Sequence, residues 1–148
     1  MLVQLMTRDR HTYEVDEVVW GECTTLKNLL EDIDEHDQVL PLPNVASADL
    51  TRIIDFYKER ASVDQDAQSI KVWEIEYVAQ FTPVEMCGLM VAANYLAAEK
   101  CLAALARGVA ASIQGKRPEE IRVLLNITND FTPEEEEAIK KETAWAFV

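Results

Sequence analysis

Four glycines and five prolines in 148 residues leave few points where the chain can break, which excludes collagen-like, low-complexity and glycine-linker organisation. Histidine is scarce too, with His11 and His36 standing alone, and no glycine-rich phosphate loop accompanies them. The three cysteines, Cys23, Cys87 and Cys101, are odd in number and match neither a disulfide framework nor zinc-ligand spacing. No secretory hydrophobic region and no run of eighteen apolar residues occurs, so no membrane association is expected, and a reducing cytoplasmic or nuclear location follows. Positive charge is short as well. Fourteen Lys and Arg against 27 Asp and Glu give a formal charge of −13, which disfavours direct nucleic-acid contact because phosphates need clustered cations.

What is present is an ordered chain, 49% hydrophobic and 28% charged, long enough for one body that buries about 68–70% of its unfolded surface. It begins as α/β. "LVQLM" alternates Val3 and Leu5 with Gln4, and "HTYEV" repeats the pattern with Tyr13 and Val15, so a hairpin is expected across the polar "TRDR". "CTTLKNLLEDI" then sets Leu26, Leu29, Leu30 and Ile33 at helical spacing behind Thr24 or Thr25 as cap, and the acidic "EDIDEHD" ends that helix in a solvated loop. The prolines of "VLPLPNV" suit an edge strand or a turn. Ser47 is the expected cap of a helix burying Leu50, Ile53, Ile54 and Tyr57. Residues 61–69, "ASVDQDAQS", read as a flexible loop.

The second half reads as helical. "VWEIEYVAQF" fits a short helix through Trp73, Tyr77, Val78 and Phe81, although the alternation of Trp73, Ile75 and Tyr77 keeps a strand open. Thr82, Pro83 and Glu85 form a capping box for a helix running to about Lys100, with Met86, Leu89, Met90 and Ala93 on one face. Another helix follows with Leu102, Leu105, Val109 and Ile113, and the many alanines of this pair allow close approach. After Gly115 two more helix starts appear, one at Pro118 with Glu119 and Glu120, one at Thr132, Pro133 and Glu135. These short helices need an apolar surface to lie against, either the body of the chain or a partner.

Catalysis is not expected. His36 sits among Asp34, Glu35 and Asp37, where an exposed loop explains it. Cys87 and Cys101 lie in alanine-rich helices and read as small core residues. "EEEE" is a helix first turn in a chain full of carboxylates, so no catalytic, cofactor-binding or metal-binding residue is assigned.

"VLPLPNV" before an apolar helix, "VWEIEYV", "AANYLAAEKCL", "GKRPEEIR" and "NITNDFTPEEEEAIKKE", in this order and followed by a Trp near the end, resemble the Skp1 family, adaptors of SCF-type ubiquitin ligases. The likeness runs from "YEVDE" to Trp145. It implies a BTB/POZ-like α/β fold, a small sheet with packed helices, plus a C-terminal helical extension. It also implies a non-catalytic adaptor without cofactor that joins F-box proteins to a cullin scaffold, which leads indirectly to a RING subunit. Residues 1–114 would be the cullin-facing body, and 115–148 the F-box-binding helices. Residue by residue, Asn94 and Tyr95 match the family's cullin contacts. Ile121, Leu124, Leu125, Ile127, Asn129, Phe131 and Trp145 fall in its F-box surface. Pro133 matches a proline that some protist members hydroxylate and glycosylate. Without the resemblance, Tyr95 also reads as a half-buried core residue.

Three departures stand out: the acidic loop before "VW" shrinks to "ASVDQDAQS", the hairpin tip carries Thr7, Arg8, Asp9 and Arg10, and the end becomes "WAFV", with Ala146, Phe147 and Val148. The alternatives are a partner of F-box-type proteins outside a ligase, as in a kinetochore complex, and a self-associating BTB interaction domain.

Overall fold

A computed structural model describes residues 2–33 and 39–147; His36 with its acidic neighbours, and Val148, lie outside them. Strands β1 (Val3–Thr7) and β2 (Thr12–Val15) form the expected antiparallel hairpin, with Val3 opposite Val15 and Leu5 opposite Tyr13. β3 (Val39–Leu42) pairs in parallel on the other side of β1, so the sheet runs β2-β1-β3 and the proline-bearing strand takes an edge, where a missing N–H costs no ladder bond. Alternation places Val3, Leu5, Leu40 and Leu42 on the buried face.

A four-residue helix, α1 (Glu17–Trp20), is an element the sequence reading missed. Next comes α2 (Thr24–Glu31), which buries Leu26 and Leu30 and leaves Leu29 partly exposed. Neither Thr24 nor Thr25 caps it. The N-cap position is Cys23, and the free N–H groups of Thr24 and Thr25 donate instead to the carbonyls of Ala97 and Leu96. The Thr25 hydroxyl donates to the Tyr95 carbonyl at 2.9 Å. One helix start is thus satisfied by another helix's end.

Ser47 is likewise displaced from its expected role. α3 (Ser47–Ser62) has Ala46 at its N-cap, and the capping acceptor is the carboxylate of Asp9 on the hairpin turn, which accepts from the Ser47 N–H at 3.0 Å and from its hydroxyl. α3 buries Leu50, Ile53, Ile54, Phe56 and Tyr57. It takes Ala61 and Ser62 of the expected 61–69 loop, and α4 (Ala67–Ala79), capped by Asp66 on the Ser69 N–H at 2.9 Å, takes residues 67–69, so the connection is only residues 63–66.

α4 settles the "VWEIEYV" question in favour of helix. Trp73 and Tyr77, four apart, stack with centroids 5.1 Å apart, Phe81 meets Tyr77 edge-on at 5.6 Å, and Phe56 packs on Trp73 and Tyr77. Ile75, which a strand would have set beside them, is 59% exposed. The adjoining flank of α4 carries Glu74, only 8% exposed, whose two oxygens accept from Arg60 Nε at 3.0 Å and Arg107 Nη2 at 2.8 Å. A carboxylate that deep needs a cationic partner.

α5 (Pro83–Tyr95) opens with the full Thr82/Glu85 capping box and ends five residues short of the expected Lys100. Ala97, at φ 52°, turns left-handed, and Ala98 N–H donates to the Ala93 carbonyl at 2.9 Å, closing a Schellman motif without glycine. α6 (Glu99–Ile113) packs along α5 through Ala92, Ala93, Ala104 and Leu105, all buried. The Cys101 N–H donates to the Tyr57 hydroxyl at 3.3 Å and ties α6 to α3. Small sheet, packed helices and terminal helical extension make a BTB/POZ-like α/β fold.

Candidate partner-binding surfaces

Gly115, at φ 74°, ends α6, and Pro118 takes the first position of α7 (Pro118–Leu125) as expected. α7 stops where Asn126 turns left-handed and Ile127 N–H reaches the Arg122 carbonyl at 2.8 Å. α8 (Pro133–Glu142) starts at Thr132, whose hydroxyl accepts from the Glu135 N–H at 3.2 Å. The box here differs from the expected one: the Glu135 carboxylate accepts from the Thr132 hydroxyl at 3.1 Å. A 3₁₀ turn, Ala144–Phe147, follows.

No residue from 115 to 146 is buried. Ile121, Leu124 and Leu125 are half-buried on α7, which lies against α5, while Ile127, Asn129, Phe131 and Ile139 are exposed and Trp145 is 79% exposed. Val123, 83% exposed, was not singled out in the sequence; the neighbouring apolar positions of α7 could have flagged it. The Asn129 side chain accepts from the Phe131 N–H at 3.1 Å and shapes the turn into α8. Between α7 and α8 a cleft of about 450 Å³ is lined by Pro118, Arg122, Phe131 and Ile139 among others. Its two walls are joined by long ion pairs, Arg122 to Glu136 and Lys140 to Glu119, both at 3.9 Å, and Arg122 lies 5.9 Å over the Phe131 ring. Such exposed or half-exposed pairs hold weakly. Pro133 is exposed at the start of α8.

The second set of residues sits at the end of α5. Asn94 is exposed, and Tyr95 is half-buried and packed against the core, as its reading without the resemblance expected. Val91, 70% exposed one turn earlier, adds an apolar neighbour that the sequence reading passed over because the whole helix is apolar.

Burial pushes the thiols of Cys23 and Cys101 up to about 12, the opposite of an activated nucleophile. Cys87, expected in the core, is only partly buried. Among the described residues no cluster of three His, Cys, Asp or Glu is arranged to hold a metal ion, and no helix is long and apolar enough to cross a membrane.

Two family models match: the Skp1 family, tetramerisation domain, over residues 1–62, and the Skp1 family, dimerisation domain, over residues 102–146. Similar proteins span the whole length. SKP1-like protein 14 of Arabidopsis thaliana is 38% identical over 98% of this chain and 96% of its own. The chain belongs to the Skp1 family. Among other members, the SCF ubiquitin ligase complex protein SKP1a of Dictyostelium discoideum is 38% identical over 97% of this chain and 94% of its own, and SKP1-like protein 11 of Arabidopsis thaliana is 39% identical over 99% and 97%. Skp1-family proteins are adaptors without catalytic activity, and this member is one by family. The family's second model starts inside α6, shortly before Leu105, after which no residue up to 146 is buried.

Proposed function

We propose that this adaptor bridges a cullin scaffold and F-box substrate receptors within an SCF-type ubiquitin ligase. Residues 1–114 form the body that meets the cullin, and 115–148 form the receptor-binding helices. The observation that carries the reading is the tail: Ile121, Leu124 and Leu125 lie on α7, Ile127 and Phe131 on the link to α8, and Trp145 in the final 3₁₀ turn, yet none of them is buried. Helices this short are not stable by propensity alone, so a partner supplying the missing apolar face completes them. A relative named as an SCF complex protein supports the same assembly. On the body, Asn94, with Tyr95 and Val91 beside it, offers a polar handle next to apolar surface, a composition suited to a protein interface. Pro133, exposed at the first position of α8, is accessible to a modifying enzyme.

Paired titrations of the full chain against a cullin N-terminal fragment and an F-box domain test this. Asn94→Lys is expected to weaken cullin binding by about 2 kcal/mol, roughly thirtyfold, and to leave F-box affinity within ~0.5 kcal/mol. Removal of residues beyond Gly115 is expected to do the reverse. Equal losses to both partners from either change would overturn the two-surface assignment.

A further inference from the structure

α4 and α6 leave between them a groove of about 440 Å³, lined by none of the side chains named above for the cullin or F-box surface. Its lining includes Ile75, Val78, Met86, Ala104, Gly108 and Ala111. Gly108 lets the helices meet closely here: a Cβ added to it would stand 3.1 Å from Met86 Sδ and Val78 Cγ2. Ile75 is an aliphatic side chain with more than half of its surface open to solvent.

The same groove opens into a second cleft, of about 610 Å³, at the end of α3. Lys71, Glu74 and Arg107 line both, and Arg60 and Lys100 line the second. Four of the chain's 14 basic side chains therefore meet in one place. Among the described residues two carboxylates pair with them: Glu74, buried between Arg60 and Arg107, and Glu22, which meets Lys100 at 3.0 Å. The cluster is left positive in a molecule that is otherwise strongly negative, with Lys71 and Arg107 both exposed beside Ile75.

We infer that this groove is a docking site for a peptide segment that carries carboxylates around an aliphatic side chain. The aliphatic group would cover Ile75 and reach toward Val78 and Met86, and the carboxylates would meet Lys71 and Arg107. Local charge governs such an encounter, because fields beyond a Debye length of roughly 8–10 Å are screened by salt. A polyphosphate would leave the apolar floor uncovered, and a second copy would bring the same large negative charge. An acidic-aliphatic peptide satisfies both parts of the groove.

The test is a titration of the isotope-labelled full chain followed by amide chemical shifts. Three probes are used: a blocked peptide Glu-Asp-Leu-Leu-Glu-Asp, its counterpart with Lys in place of the acidic residues, and inorganic phosphate. Saturable shifts around Ile75 and Arg107 are expected with the acidic peptide alone, weakening with salt. Lys71→Glu and Ile75→Ser, both at exposed positions outside the Glu74 ion pairs, should each reduce affinity about tenfold without lowering Tm. An equal response to phosphate would overturn the proposal in favour of a bare anion site. So would no response, or a response confined to the tail. Self-association in sedimentation that Lys71→Glu abolishes would assign the groove to a second copy instead.

Discussion

The carboxylate of Asp9, on the turn between β1 and β2, accepts the N–H of Ser47 at the start of α3 from 38 positions away in the chain. It also accepts the hydroxyls of Ser47 and Thr7, and these bonds, Ser47 first, hold its carboxyl well below the usual carboxylate range. A folded-state value below the unfolded one means that the contribution is present above the ordinary carboxylate pKa and is lost as pH falls through the folded one. Asp9→Asn should therefore lower Tm at neutral pH, and its deficit relative to the native chain should shrink on acidification below roughly pH 4. Thermal melts of both proteins across this range check it; a deficit independent of pH would mean that the charge is immaterial.

Glu74 carries the second prediction. Because its carboxylate is buried and answers two guanidinium groups, Glu74→Ala should destabilise by about 3 kcal/mol or more, leaving the mostly buried Arg60 without its counter-ion. Arg107 is largely exposed, and Arg60 still holds Glu74 when it is removed. Arg107→Ala should cost only about 1 kcal/mol. Urea unfolding of the two variants gives the ratio directly.

Ala97 occupies a left-handed conformation that favours glycine. Ala97→Gly removes that steric cost while loosening the unfolded chain, so the net expected effect is a small gain, up to about 1 kcal/mol. A loss of stability in chemical denaturation would show that the Ala97 side chain contributes more through packing than the backbone costs.

Trp145 separates folding from binding. With most of its surface in solvent, Trp145→Ala should leave the free chain within about 0.5 kcal/mol of its original stability. If it is an anchor for the receptor, affinity for an F-box domain should fall by about 2 kcal/mol in calorimetry. Unchanged affinity would remove it from the interface.

Local chemistry was readable wherever it acts within a few residues. The starts of α5, α7 and α8 followed from Thr82 with Glu85, from Pro118, and from Thr132 with Pro133, because a cap bonds N–H groups only two or three positions ahead. The hairpin followed from the alternation of Val3, Leu5 and Val15, and the family from strings such as "NDFTPEEEE". Asn94 and Phe131 were readable as residue types at matching positions, whereas their exposure was not.

Tertiary structure decided what depends on groups arriving from elsewhere in the chain. Asp9 took the capping role expected of Ser47, and the carbonyls of Leu96 and Ala97 served α2 in place of a threonine hydroxyl. "VWEIEYV" became helical because Phe56 meets Trp73 and Tyr77 on one face while Arg60 and Arg107 neutralise Glu74 on another, an arrangement that a strand's two-residue period could not make. A single sequence prescribes which bonds each segment can offer; which partner accepts them is settled only when distant segments compete for the same buried N–H, carboxylate or apolar face.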